Sequence, residues 1–143
     1  MTTDQFRALA RYNRWMNRKL YALAAELTDE DRKRDRGAFF KSIHGTLSHI
    51  LLADRIWFAR FSGDGASQAK YASLDEDLYP SFDDLRRERD KTDGAIAEWI
   101  DALTSEQLAA TFRYSRRGVA IEHPLWWAVL HFFNHQTHHR GQA

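Results

Sequence analysis

Four histidines fall within nine positions near the end of the chain, in the stretch HFFNHQTHHRGQ at residues 131–142. Imidazole is the commonest protein ligand for transition metals, and residues four apart on a helix lie on one face with Cβ atoms about 5–6 Å apart. His135 and His139 are therefore a chelating pair if the stretch is helical. His138 could replace His139 as an i,i+3 partner of His135, and spacing leaves that choice open. His131 is a poor third ligand beside His139, because eight residues at 1.5 Å rise separate the two by about 12 Å along the axis. A third ligand must come from another element.

Two further histidines, His44 and His49, lie in SIHGTLSHILLADRIW. His49 shares a helical face with Gly45, Leu52, Ala53 and Ile56, a stripe without other polar side chains, so its imidazole should point inward. A buried imidazole costs free energy unless something partners it. An ion shared with His135 and His139 would serve; a hydrogen bond inside the core is the plainer alternative. His44, nearer the helix start, is as readily exposed. The tryptophans Trp15, Trp57, Trp99, Trp126 and Trp127 read as core and interface residues, not as a cofactor stack.

Other chemistries find no support. The sequence has no Gly-rich phosphate loop, no nucleophile elbow around a serine, no HExxH and no Glu-x-x-His pair. With no cysteine there is no disulfide, thiolate ligand or cysteine nucleophile, a usage that fits a reducing cytoplasm. Lysine plus arginine number 21 against 20 acidic residues, so no charge excess exists to draw nucleic acid or an anionic membrane. No apolar run approaches the roughly 20 residues of a membrane span. The start, MTTDQFRALARYNRW, lacks a signal peptide's apolar core, so a cytoplasmic location is expected.

The elements that must position these histidines are helices. A chain of 143 residues, 43% apolar and 29% charged, suits one folded domain. From Asp4 to Leu27 the residues Phe6, Leu9, Met16, Leu20, Leu23 and Leu27 keep the period of an amphipathic helix. TDEDRKRDRG, from Thr28, reads as a solvated connection with one capped turn. Residues from about Phe40 to Phe61 are apolar on two faces, which predicts a central helix. Residues 62–81 mix Gly, Ser, Asp and Pro without period, long enough to cross the length of a bundle. Ser81 caps a third helix whose stripe runs through Phe82, Leu85, Thr92, Ile96, Trp99 and Leu103. TFRYSRRGVAIEHP alternates around Arg117-Gly118, predicting a short hairpin or extended loop before a fourth helix that begins at Pro124. The fold class expected is all-α, a four-helix bundle.

Three stretches, YNRWMNRKL, RDRGAFFKSIHGTLSHILLADRIWFARF and NHQTHHRGQ, resemble the DinB/YfiT-like family of metal-dependent four-helix-bundle proteins along almost the whole chain. The resemblance implies one domain over residues 1–143, with up-down-down-up topology and the long crossover between helices two and three. It implies three histidine ligands to a divalent metal ion, zinc or nickel foremost, which fall on His49, His135 and His139, and so prefers His139 to His138. It further implies a small-molecule substrate, a homodimer, and a thiol S-transferase using a low-molecular-weight thiol as co-substrate. A metal-dependent hydrolase, or a non-catalytic stress-induced protein with a structural metal, are the alternatives. Relatives extend the last helix beyond the four residues that follow His139 here, which implies that cover of the site is missing or comes from a partner chain.

Overall fold

The computed structural model describes residues 1–63, 73, 74 and 76–143. These are mostly helical, with six helices and one two-stranded sheet among the described residues. No helix among them is long and apolar enough to cross a membrane.

Helix α1 spans Thr3–Ala25 and starts with a capping box, in which Thr2 accepts from Gln5 N–H while the Gln5 side chain accepts from Thr2 N–H. Its buried face is Phe6, Ala10, Asn13, Asn17, Tyr21 and Ala24. That face is rotated from the stripe the sequence suggests: Leu23 is 63% exposed, and Leu9, Met16 and Leu20 are only half-buried. The reason is polar. Asn13 and Asn17 turn inward because a buried carboxylate, Asp93, accepts hydrogen bonds from both.

The charged connection holds a short helix, α2 (Asp29–Lys33), capped by Thr28 and burying no residue. The central helix α3 runs Ile43–Ser62, capped by Ser42 at its start and by Gly63 (φ 73) at its end. The sequence places its start near Phe40; instead the residues before Ser42 form a tight turn, with Arg36 N–H donating to Lys41 C=O and Lys41 N–H to Ala38 C=O. Gly45 is needed below that turn, since a Cβ there would lie 2.3 Å from the Phe40 carbonyl oxygen. Every residue from Thr46 to Asp54 is buried, as expected of a central helix. Of the expected crossover at 62–81, residues 64–72 and 75 lie outside the described residues.

Helix α4 (Phe82–Ala102) is capped by Ser81, as its sequence predicts. A further short helix, α5 (Ser105–Ala109), has its own capping box at Thr104 and Gln107 and buries Leu108. Strands β1 (Thr111–Arg116) and β2 (Val119–Pro124) pair antiparallel, Arg116 opposite Val119. The two-residue turn, Arg117 and Gly118, has positive φ at both positions, the twist a tight hairpin requires. Helix α6 (Leu125–Gln142) follows at once, tied by Leu125 N–H to Ala110 C=O.

Helix α1 packs on α4 and α6, and α3 packs on the same two. One apolar cluster gathers Phe6, Trp57, Ile96 and Phe132; another gathers Tyr21, Leu47, Phe82 and Leu85. Between them each long helix contributes polar side chains to a buried layer. Arg89 Nη2 lies 2.6 Å from Asp54 and 2.6 Å from Asp93, and the Gln136 side-chain amide donates to Asp54 at 2.7 Å. Arg140 donates to the side-chain oxygens of Asn13 and Asn17. The tryptophans divide: Trp57 is buried, Trp99 and Trp126 are half-buried, and Trp15 and Trp127 are more than half exposed.

Candidate metal centre

His49, His135 and His139 converge, each offering one ring nitrogen within 4.8 Å of the others'. The ring centres of His135 and His139 lie 4.4 Å apart, and that of His49 lies 4.6 Å from His139 and 5.3 Å from His135. The pair sits one turn apart on α6, and His49 reaches it from α3 across the interface of the two helices.

Each ring is held by the fold. The His49 Nδ1–H donates to the Leu74 carbonyl at 2.7 Å, leaving Nε2 as a lone pair that is buried and without a hydrogen-bond partner. Such an atom is costly unless something occupies it, and a cation between the three rings is one group that would. Phe40, carried by the turn above Gly45, stacks on His49 with ring centres 3.8 Å apart. The His139 Nδ1–H donates to the Gln142 side chain at 2.6 Å, a support of the kind that fixes ligand tautomers in metal sites. Gln136 and Arg140, next in sequence to His135 and His139, anchor α6 in the buried polar layer and so set the direction in which both histidines point.

The other histidines stand apart. His44, which the sequence leaves free to be exposed, is 2% exposed, and its Nε2–H donates to the Tyr79 carbonyl at 2.9 Å. It turns inward because the chain leading into α4 returns over it, a contact that helical periodicity does not encode. His138 is exposed and within hydrogen-bond reach of Gln142. His131 lies outside the triad, its ring centre 6.1 Å from that of His135 and 5.3 Å from that of Trp57. Sequence reasoning did not find Leu74, Phe40 or Gln142, nor the buried Asp54, Arg89, Asp93 and Gln136. Polar residues interrupting apolar stripes, Asp54 within LLADRIW above all, were the available signal.

A cleft of about 960 Å³ opens beside the cluster, lined by His49 and His135, by Trp57 and Ile56 of α3, and by Tyr114 and Ile121 of the hairpin among others. The triad thus has a roomy approach on the side of His49 and His135.

Electrostatics keep the rings neutral. Burial first, and then the neighbouring His139 and His49, bring the His135 pKa down from 6.5 to about 3. Burial also lowers His49, against the opposing Leu74 hydrogen bond, and lowers His139. Neutral imidazole is the ligating form. Between about 3 and 6.5 the unfolded chain binds a proton at His135 that the folded chain refuses, so this residue makes stability rise with pH through that window and level off above it. On acidification from about pH 7.5 to pH 4, metal-free wild type should therefore lose more melting temperature than metal-free His135→Ala. Equal losses in the two proteins would show that His135 is not held neutral.

A family model described as the DinB family matches residues 1–143, the whole chain. No curated protein and no solved structure matches. The match over the full length joins the central and C-terminal stretches that supply the three clustered histidines, and by it the chain belongs to the DinB family.

Proposed function

We propose that the protein is a metal-dependent enzyme in which His49, His135 and His139 hold one divalent ion, zinc or nickel, and that it carries out a thiol-dependent transfer. The carrying observation is the buried His49 Nε2, with no partner of its own, facing two neutral imidazoles at the end of an open cleft. Three nitrogens are a ligand set with coordination positions to spare, and the cleft gives those positions room for a small molecule. When bound, such an ion lowers the pKa of a coordinated thiol, which supplies sulfur nucleophilicity to a protein that has no cysteine. The chain's own part is positional. Leu74 and Gln142 hold two imidazoles through their Nδ1–H groups, Phe40 covers one face of His49, and Trp57 and Tyr114 wall the cleft.

We also propose one domain over residues 1–143, a four-helix bundle of up-down-down-up topology. Arg7 meets Asp101 and Arg18 meets Asp90, which supports α1 antiparallel to α4. Arg55 meets Glu88 and Phe58 meets Trp99, which supports α3 parallel to α4. Asp54 meets Gln136 and Trp57 meets His131, which supports α6 antiparallel to α3.

The function is tested by incubating metal-loaded protein with a panel of low-molecular-weight thiols and soft electrophiles (epoxides, haloarenes, maleyl compounds). Thiol consumption should exceed the metal-free control, and His135→Ala should abolish the excess while its circular dichroism stays helical. No excess across the panel, together with a melting temperature strongly raised by metal, would replace the transferase by a structural metal.

A further inference from the structure

The cleft beside the histidines has a charge pattern of its own. Its described lining includes three arginines, Arg60 of α3 and Arg116 and Arg117 of the hairpin, and no aspartate or glutamate. Several arginines elsewhere pair with acids: Arg55 with Glu88, Arg18 with Asp90, and on the same strand as Arg116, Arg113 with Glu122. Among the described residues no carboxylate pairs with Arg60, Arg116 or Arg117, and the Arg60 Nε is buried without a hydrogen-bond partner.

Arg60 is nonetheless fixed in place. Its guanidinium carbon lies 4.7 Å from the Trp57 ring centre and 5.0 Å from that of Tyr114. Two aromatic rings orient the guanidinium and pack its stem but leave its charge without a counter-ion. Burial and the nearby Arg116 both work against that charge. An oxyanion between Arg60 and Arg116 would relieve the repulsion and satisfy the fork, and a guanidinium is the group best shaped for a planar carboxylate. The neighbouring walls, Ile56, Ile121 and Leu130, are apolar. Arg60 follows His49 by eleven residues, about 16 Å of helix axis, so an occupant reaching both ends is extended.

We propose that this cleft is a carboxylate-recognising substrate pocket, in which Arg60, held between Trp57 and Tyr114, binds with Arg116 the anionic end of an extended, partly apolar molecule whose reactive end lies at the histidine cluster. The second half of that statement rests on the transferase reading. The carboxylate belongs either to the thiol or to its electrophilic partner, and the chemistry at Arg60 is the same for both.

Binding is measured first on metal-free protein, by calorimetry at physiological salt, with 3-phenylpropionate and its uncharged amide as probes. The carboxylate should bind about tenfold or more tightly than the amide, the usual advantage of a charge-assisted hydrogen bond. Arg60→Gln should reduce it to the level of the amide, and Arg116→Gln, on the exposed hairpin, should weaken it several-fold. Equal binding of the two probes, or no binding of the carboxylate, overturns the proposal. So does unchanged carboxylate affinity in Arg60→Gln, or in Arg116→Gln if the first variant does not fold. Metal-loaded protein then identifies the source. Arg60→Gln should raise KM for 3-mercaptopropionate but not 2-mercaptoethanol if the thiol carries the anion, or for 3-phenylglycidate but not styrene oxide if the electrophile does. A KM unchanged for all four overturns the pocket. Absent turnover with carboxylate binding intact removes the transferase and leaves the pocket standing.

Discussion

Replacing His49, His135 or His139 by alanine is expected to lower the affinity for zinc or nickel at least about a hundredfold, more than the 10–100-fold typical of a supporting residue. Each variant removes one of three nitrogens, and the remaining histidines are turned elsewhere: the His44 Nε2–H is committed to the Tyr79 carbonyl, His123 lies against Tyr114 of the hairpin, His131 faces Trp57, and His138 points to solvent beside Gln142. Alanine at 131 or 138 should leave affinity within a few-fold of wild type, while alanine at 44 should cost stability and spare the metal. Equilibrium titration with a competing chelator gives the affinities. Added metal should also raise the melting temperature of wild type and not that of the three ligand variants, because an ion bound only by the folded state stabilises it. Full affinity in all three variants would place the site elsewhere.

Arg89→Ala should destabilise the protein by about 3–5 kcal/mol, the usual cost of removing one partner of a buried ion pair. Arg89 is 2% exposed and stands between Asp54 and Asp93, which are 1% and 2% exposed. Without its guanidinium, two carboxylates face each other in the core, and burial already pushes Asp54 up to about 6 with Arg89 opposing the shift. Urea unfolding measures the loss, and the melting temperature should fall on the order of 10 °C or more. The same variant should weaken metal binding about tenfold, because Asp54 holds Gln136 and Gln136 sets the rotation of α6 that aims His135. Stability within about 1 kcal/mol of wild type would mean that the layer is not an interlocked network.

That layer also marks where the sequence ceases to be legible. Helix positions followed from period and caps: Ser81 and Thr28 cap as their residue types suggest, and Arg117-Gly118 makes the hairpin turn. The inward position of His49 and the convergence of His135 with His139 follow from 3.6-residue geometry, whereas the preference for His139 over His138 came from family resemblance. Periodicity misplaces the buried face of α1 because it counts apolar residues, and here Asn13 and Asn17 are buried while Leu23 is not. Nothing in α1 alone reveals that Asp93, some eighty residues away, will be there to receive them. Burial of His44 depends on the return of the chain at Tyr79, and the tautomer and orientation of His49 depend on the Leu74 carbonyl. Both are contacts between an irregular segment and a helix, which no periodic pattern records. Arg60 was invisible for the same reason, since its aromatic clamp joins α3 to a hairpin more than fifty residues later.

The most direct test of the three-histidine centre is an anomalous difference map from crystals of zinc-loaded protein, recorded on either side of the zinc absorption edge. One peak is expected, bonded to a ring nitrogen of His135, to one of His139 and to Nε2 of His49, each at about 2.0–2.1 Å. His49 Nδ1 should remain on the Leu74 carbonyl. A peak that lacks His49, or zinc bound only at the exposed His138, would contradict the account.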